Sequence, residues 1–198
     1  MDEKERRIII ITGAPGVGKT SVSVLLASKL DAVHVDVSEL VVQENLVTGK
    51  DEMRDTLIAD MAWVSERVKE IIGQTKGYVI LDGHYAVDLV PAGAVSQVFV
   101  LRRNPEELKP LMEARGWGGM KLWENLACEV LDVCLSDAIK ACGEGKVCEV
   151  DVTGRKVEDV VAEIVEVLEG KRKCFVGVID WLAFLELHGR LDMFLRNF

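Results

Sequence analysis

The chain has 198 residues, of which 49% are hydrophobic and 29% are charged. This balance is close to the globular average and excludes disordered, collagen-like and coiled-coil chains. The formal net charge of −9 argues against a protein that coats extended nucleic acid, because such binding grows with the number of Lys and Arg contacts. A local basic pocket for one small phosphorylated ligand is compatible with it.

Five short β-branched runs alternate with segments of helical period. The predicted strands cover residues 7–12, 32–37, 78–81, 98–101 and 147–152. Several of them are apolar throughout, which is typical of parallel strands covered by helices on both faces. The pattern therefore predicts an α/β fold whose ligands bind beyond the carboxyl ends of the strands.

The composition changes at residues 170–173, which divides the chain into a core, 1–170, and a C-terminal helical extension, 171–198. The extension is apolar on more than one side, so it has to be buried against something. We expect it to be no independent domain. It either packs on its own core or forms a surface for a partner, and the sequence leaves both open.

Cysteine content and apolar segments bear on the compartment. The cysteines form no CxxC pair and their odd number fits no closed disulfide framework; they are Cys128, Cys134, Cys142, Cys148 and Cys174. The apolar run 8–11 is too short for a signal peptide core. No run reaches the ~20 residues that cross a bilayer. We expect reduced thiols in a cytoplasmic protein without a membrane segment.

Residues 13–20 read GAPGVGKT and fit the phosphate-binding pattern GxxxxGK[ST] between a predicted strand and a predicted helix at 19–30. Glycines at 13, 16 and 18 let successive amides converge on a phosphate at the helix N-terminus. In such loops the lysine, here Lys19, reaches the β- and γ-phosphates and the hydroxyl of the next residue, Thr20, ligates Mg²⁺. The motif predicts an ATP–Mg²⁺ site.

A nucleotide site of this kind needs a carboxylate near the metal. Asp82 follows the predicted strand 78–81, and His84 stands two residues later. We expect Asp82 to hold Mg²⁺, directly or through water, and His84 to orient or deprotonate an attacking water. A helix cap and a surface histidine are the alternatives.

Phosphoryl transfer also needs cations around the moving group. Arg102 and Arg103 directly follow the strand 98–101, at the predicted ligand edge of the sheet. Arg115 precedes the glycine-rich segment 116–119, which could hinge as a lid over the phosphates. We select Arg102 and Arg115 as catalytic candidates, with a solvated surface charge as the alternative for each arginine.

Together these motifs resemble the adenylate kinase isoenzyme-six type family, over residues 7–168. The more particular part of the resemblance is the lid sequence EARGW followed by KL, EN and CE at 121–122, 124–125 and 128–129. The resemblance implies a P-loop NTPase of nucleoside monophosphate kinase type, with a five-stranded parallel sheet. It also implies a monophosphate-binding segment at about 36–59 and a short lid at about 114–124.

The resemblance further assigns candidate contacts and activities. It places ATP against Gly16, Gly18, Lys19, Thr20, Ser21 and Arg115, with Gly154 and Arg155 on the adenine side. The family is described both as slow adenylate kinases and as ATPases that help to assemble the small ribosomal subunit by binding one of its proteins. We expect transfer to a nucleoside monophosphate, AMP first, to rank ahead of hydrolysis, and a small-metabolite kinase to be the third alternative. The oligomeric state is left open.

Two departures from the family concern the acceptor site and the lid. The helix after Asp36 carries valine where relatives often have an arginine that faces the monophosphate, and Arg54 is the candidate substitute. This weakens the kinase interpretation, because a phosphate favours a charge-assisted partner. The lid contains no cysteine, so a zinc-stapled lid is not expected.

Overall fold

The computed structural model describes residues 6–52 and 56–195. Its strands are β1 (Arg7–Thr12), β2 (Val33–Asp36), β3 (Val47–Asp51), β4 (Thr56–Ala59), β5 (Tyr78–Asp82), β6 (Val95–Arg102) and β7 (Val147–Asp151). Its α-helices are α1 (Lys19–Leu30), α2 (Val37–Gln43), α3 (Met61–Gln74), α4 (Pro105–Ala114), α5 (Gly119–Val130), α6 (Val133–Cys142), α7 (Val157–Leu168), α8 (Trp181–Leu187) and α9 (Leu191–Leu195).

Five of the strands form one parallel sheet in the order β2-β5-β1-β6-β7. The central strand β1 pairs with β5 on one side and β6 on the other, and its residues 8–11 are buried. A strand covered on both faces is apolar at every position rather than at alternate ones. The five-stranded parallel α/β fold expected from the sequence is confirmed, and β6 begins three residues earlier than predicted.

Helices cover both faces of this sheet. One apolar core includes side chains of α2, α3 and α6, and the other includes side chains of α1, α4, α5 and α7. Parallel strands leave all their carboxyl ends at one edge, where β1 runs into the glycine-rich loop and β5 ends at Asp82. This edge therefore collects the predicted site residues.

Strands β3 and β4 form a separate antiparallel hairpin within the predicted monophosphate-binding segment. The sequence analysis did not predict it, because most of its residues are exposed and carry no apolar alternation. Arg54, the candidate substitute for the missing arginine, lies outside the described residues.

The C-terminal extension packs on its own core. Trp181, Leu185 and Phe194 are buried, the last two within the core that also contains α5 side chains.

The expectation of five reduced thiols is wrong for one pair: Cys148 of β7 and Cys174 form a disulfide, with their Cα atoms 5.1 Å apart. The two meet because the segment after α7 returns alongside β7, where the Glu149 amide donates to the Phe175 carbonyl at 2.9 Å.

Within residues 6–52 and 56–195, every helix is too short or too polar to cross a bilayer.

Candidate active site

The glycine-rich loop between β1 and α1 depends on glycine at two positions. Gly13 has φ +137°, and a Cβ built there would lie 2.5 Å from the carbonyl oxygen of Leu101. The loop is therefore seated directly on the end of β6. Gly18 precedes α1 with φ +109° and has no side chain that could cap the helix. The first amides of α1 are thus left for an anionic ligand.

Lys19 is held inside this loop. Its Nζ donates to the carbonyl oxygens of Gly13 at 2.9 Å and Ala14 at 3.1 Å. Burial lowers the pKa of Lys19, while the nearby carboxylates of Asp82 and Asp36 act in the opposite direction. The ammonium group therefore sits at the junction of the loop and the acidic ends of β2 and β5.

Two cavities open on the loop. The smaller one, of about 80 Å³, is lined by Gly16, Gly18, Lys19, Thr20, Ser21 and Arg115. The structure thus brings together the six residues that the resemblance implied as ATP contacts. Arg115 comes to this cavity as the residue that caps the C-terminal end of α4, just before the lid turn at 116–118.

The larger cavity has a volume of about 590 Å³, within the range of small-molecule sites. Its walls come from the loop, the ends of β2 and β5, the hairpin and the lid with α5. It is lined by Pro15, Gly16, Lys19, Thr20, Asp36, Ser38, Thr56, Asp82, His84, Tyr85, Trp117, Lys121, Glu124, Asn125 and Cys128. Gly16, Lys19 and Thr20 belong to both cavities.

Hard oxygen ligands for a magnesium ion lie between the loop and the strand ends. The Thr20 hydroxyl donates to Asp36 Oδ2 at 3.1 Å, and Asp36 pairs in register with Asp82 on the neighbouring strand. His34 Nε2 lies 3.0 Å from Asp82 Oδ2. Hydroxyl and carboxylate oxygens suit Mg²⁺, so Thr20, Asp82 and Asp36 fit the metal that the motif implies.

Sequence reasoning missed Asp36 and His34 as members of this group. The available signal was an acidic residue at the carboxyl end of the predicted strand 32–37, the same signal that identified Asp82. Asp36 also caps α2, since its Oδ1 accepts the amides of Ser38 and Glu39. Its second oxygen is thereby directed toward Thr20.

His84 lines the larger cavity beside Lys19. Burial, and then the positive charge of Lys19, lower the pKa of His84 to about 4. Its carbonyl oxygen accepts from Thr12 Oγ1 at 3.3 Å, and the centroid of its ring lies 3.8 Å from the centroid of the Tyr85 ring. The imidazole is therefore neutral at physiological pH, so one of its ring nitrogens can accept a hydrogen bond.

Arg102 does not reach the site, which corrects its selection as a catalytic residue. It is 1% exposed, and its guanidinium binds Glu129, Glu149 and Asp132. The distances are 2.9 Å to Glu129 Oε1 and 2.5 Å to Glu149 Oε1. A guanidinium already satisfied by three carboxylates is part of the fold rather than of a phosphate site.

Of the two arginines at the end of β6, Arg103 rather than Arg102 contacts the phosphate loop. Its Nε donates to the Val17 carbonyl at 3.3 Å, and its guanidinium pairs with Glu107. Arg155 is held elsewhere, by the Asp151 carbonyl at 2.8 Å and by Glu163, and it lines neither cavity. The Gly154 amide donates to Glu107 Oε2 at 2.8 Å, which connects this loop to the start of α4.

Comparison with known proteins gives both sequence relatives and structural neighbours. A family model described as an AAA domain matches residues 9–132. A protein of Methanocaldococcus jannaschii named "Putative adenylate kinase" is 40% identical over 173 residues, 87% of this chain and 92% of that relative. One of the same name from Pyrococcus furiosus is 35% identical, over 90% of this chain and 93% of the relative.

Solved structures share the fold. Thymidylate kinase from Candida albicans aligns with a TM-score of 0.54 at 15% identity, covering 83% of this chain and 91% of that one. Shikimate kinase from Aquifex aeolicus aligns with a TM-score of 0.52 at 17% identity, covering 82% and 96%. At such low identity the likeness extends to the fold alone.

Proposed function

Since this chain belongs to the archaeal adenylate kinase family of P-loop NTPases, and is a nucleoside monophosphate kinase-like enzyme, we propose that it transfers the γ-phosphoryl group of ATP to a nucleoside monophosphate, AMP first. The observation that carries the proposal is the pair of cavities that meet at Lys19 and Thr20. The smaller cavity offers the loop and Arg115 to phosphate groups, and the larger one has room for an acceptor. Two substrates bound on either side of one lysine are held for in-line transfer.

The donor side is built from the loop and the lid. The amides at the start of α1 hold the phosphates, and Lys19 exchanges its bonds to the Gly13 and Ala14 carbonyls for phosphate oxygens. Arg115 approaches from the lid side of the smaller cavity. Thr20, Asp82 and Asp36 would hold Mg²⁺, which would neutralise charge on the phosphates.

The acceptor side offers aromatic faces and, besides Lys19, the side chain of Lys121. Tyr85 and Trp117 line the larger cavity and supply surfaces on which a base can stack. Lys121 lies with its Nζ 5.7 Å from the Trp117 ring centroid and donates to Thr56 Oγ1 at 3.3 Å. We assign to Lys121 the charge-assisted contact with the phosphate of the monophosphate.

The test is a panel of acceptors. ATP and Mg²⁺ are incubated with AMP, CMP, UMP or GMP, and formation of each nucleoside diphosphate is followed. We expect AMP to react fastest, chelation of magnesium to stop the reaction, and Lys19→Ala to abolish it. Lys29→Ala, in the last turn of α1, is the matched control and keeps full activity. Failure with all four acceptors rejects the proposal.

A second candidate is ATP hydrolysis coupled to binding of a small-subunit ribosomal protein. The observation in its favour is the neutral His84 imidazole, which lines the same cavity as Lys19 and can orient a water when no acceptor is present. It is tested by phosphate release without acceptor, and by capture of a small-subunit protein in ATP and ADP. Binding that ignores the nucleotide, or no binding, argues against it.

A further inference from the structure

Two thiols meet at the wall of the larger cavity. Cys128 belongs to α5 and Cys134 to α6, and their sulfur atoms lie 3.6 Å apart. Cys128 is partly exposed and lines the cavity, whereas Cys134 is buried. The two helices are separated only by Leu131 and Asp132, so the pair spans the tight turn between them. The proposed phosphoryl transfer makes no use of either sulfur.

The surroundings of Cys128 favour its reactive form. The hydrogen bond with Cys134 lowers the pKa of the Cys128 thiol, and the Lys19 ammonium acts in the same direction. Burial and the Glu129 carboxylate oppose them, and the effect of Glu129 is larger than that of Lys19. The same hydrogen bond and burial raise the pKa of the Cys134 thiol, so Cys128 is the first of the two to react. Cys128 is the partly exposed member of the pair and lines the cavity, so it is the sulfur that an entering reagent meets first, and its thiolate is the nucleophile.

We propose that Cys128 and Cys134 form a dithiol modification site that reacts with low-molecular-weight disulfides entering through the larger cavity. The Cys128 thiolate attacks one sulfur of the reagent, forms a mixed disulfide and releases the first thiolate. Cys134 then attacks the Cys128 sulfur, forming the internal disulfide and releasing the second thiolate. The two cysteine protons pass to the two released thiolates, so the reagent is reduced to two thiols as the protein pair is oxidised.

The geometry permits the second step. A disulfide joins sulfur atoms about 2.05 Å apart, so the two sulfurs, 3.6 Å apart in the dithiol, have to approach by about 1.5 Å. Closure ties the end of α5 to the start of α6. Because α5 also carries Lys121 and Asn125 of the cavity wall, oxidation is expected to lower phosphoryl transfer and a dithiol reductant to restore it; this last expectation rests on the proposed function.

The deciding experiment follows mass and thiol content rather than activity. The full chain is incubated with bis(2-hydroxyethyl) disulfide, then digested and mapped. We expect the wild type to lose two hydrogens and to yield a Cys128–Cys134 linked peptide. Cys134→Ser stops at the mixed disulfide on Cys128, and Cys128→Ser gives neither product. Cys142→Ser, which removes the other buried thiol of α6, at the C-terminal end of that helix, behaves as the wild type. Absence of the linked peptide from the wild type overturns the proposal.

A second arm tests the route through the cavity. A bisubstrate dinucleotide with two adenosines is added at about ten times the Kd measured by calorimetry. Roughly a tenth of the chain then has an open cavity, so the loss of thiols is expected to slow about tenfold. A dinucleotide that binds without slowing the reaction overturns the route. One that does not bind counts against the proposed function, while the linked peptide still decides the thiol pair.

Discussion

The indole Nε1 of Trp181 donates to Glu129 Oε1 at 2.8 Å. The same oxygen accepts from Arg102 Nε at 2.9 Å and from the Arg103 amide at 3.1 Å. Arg103 in turn donates to the Val17 carbonyl of the phosphate loop. The C-terminal extension is therefore joined to the nucleotide site through one buried carboxylate.

Replacing Trp181 tests this connection. Trp181→Phe keeps one aromatic ring but removes the Nε1 donor and part of the buried indole, so the carboxylate loses one of the three hydrogen bonds to its Oε1 and the site loses some apolar contact. A hydrogen bond to a buried charged group contributes about 1.5–3 kcal/mol. We expect the free energy of unfolding, measured in urea, to fall by an amount in this range. Trp63→Phe, at an exposed position of α3, is the matched control and leaves it unchanged; equal effects of the two variants contradict the connection.

Arg102→Met tests the buried ion network. It leaves Glu129 and Glu149 without their cation, and removal of one partner from such a network costs about 3–5 kcal/mol. We expect a loss of this size in denaturant unfolding. Arg155→Met, which breaks a partly exposed pair with Glu163, should cost less than about 1 kcal/mol. If Arg102→Met lost little stability but much activity, the result would contradict the structural role and indicate that Arg102 acts in the active site.

The same variant has a pH dependence of known sign. Burial raises the pKa of Glu129 even with Arg102 present, and removal of the cation raises it further. A carboxyl group whose pKa is higher in the folded state than in the unfolded state destabilises the fold above the folded-state pKa. This loss of stability shrinks as the pH falls toward the pKa of the unfolded state. The stability difference between Arg102→Met and the wild type should narrow on acidification. Unfolding curves at a series of pH values measure it, and a constant difference contradicts the assignment.

Arg115→Ala tests the lid side of the donor cavity. A charge-assisted hydrogen bond is worth about 1.5–3 kcal/mol, so its loss should weaken ATP binding about tenfold or more. Arg172→Ala, on the extension and paired with Glu163, is the control. Calorimetry with ATP compares the two variants, and unchanged binding in Arg115→Ala would remove this residue from the donor site.

His84→Asn separates the two proposed reactions. Without the imidazole, the attacking water loses its orienting group, whereas a nucleoside monophosphate is positioned by its own binding contacts. We expect phosphate release without acceptor to fall more than diphosphate formation with AMP. Equal losses in the two assays contradict a role of His84 in orienting water.

The sequence predicted the parts of the site that lie within one strand and the turn after it. Residues 13–20 and 82–84 follow apolar strands whose type is clear from their residues, so their place at the carboxyl edge follows from the fold class. Asp36 carried the same signal and was overlooked. The hairpin of β3 and β4 gave no signal, because its short strands are mostly exposed.

The two arginines after β6 show what local patterns do not contain. Successive side chains of a strand point to opposite faces, and the sequence does not show which face carries acidic side chains that can pair with an arginine. Arg102 turns toward Glu129 and Glu149, which stand 27 and 47 residues later, and Arg103 turns toward the loop. The Cys148–Cys174 disulfide is equally non-local, since it depends on the path of the segment after α7.

The position of Trp181 has a consequence for how the protein is made. Synthesis proceeds from the N-terminus, and domains fold as their last required segment becomes available. Glu129 and Glu149 emerge well before Val178, whose amide donates to Glu149 Oε2 at 3.0 Å, and before Trp181. A nascent chain that already contains the whole nucleotide-binding loop and sheet therefore still lacks the hydrogen-bond donors that Val178 and Trp181 supply to Glu149 and Glu129. The catalytic core is thus expected to complete its folding only once the C-terminal extension has been synthesised.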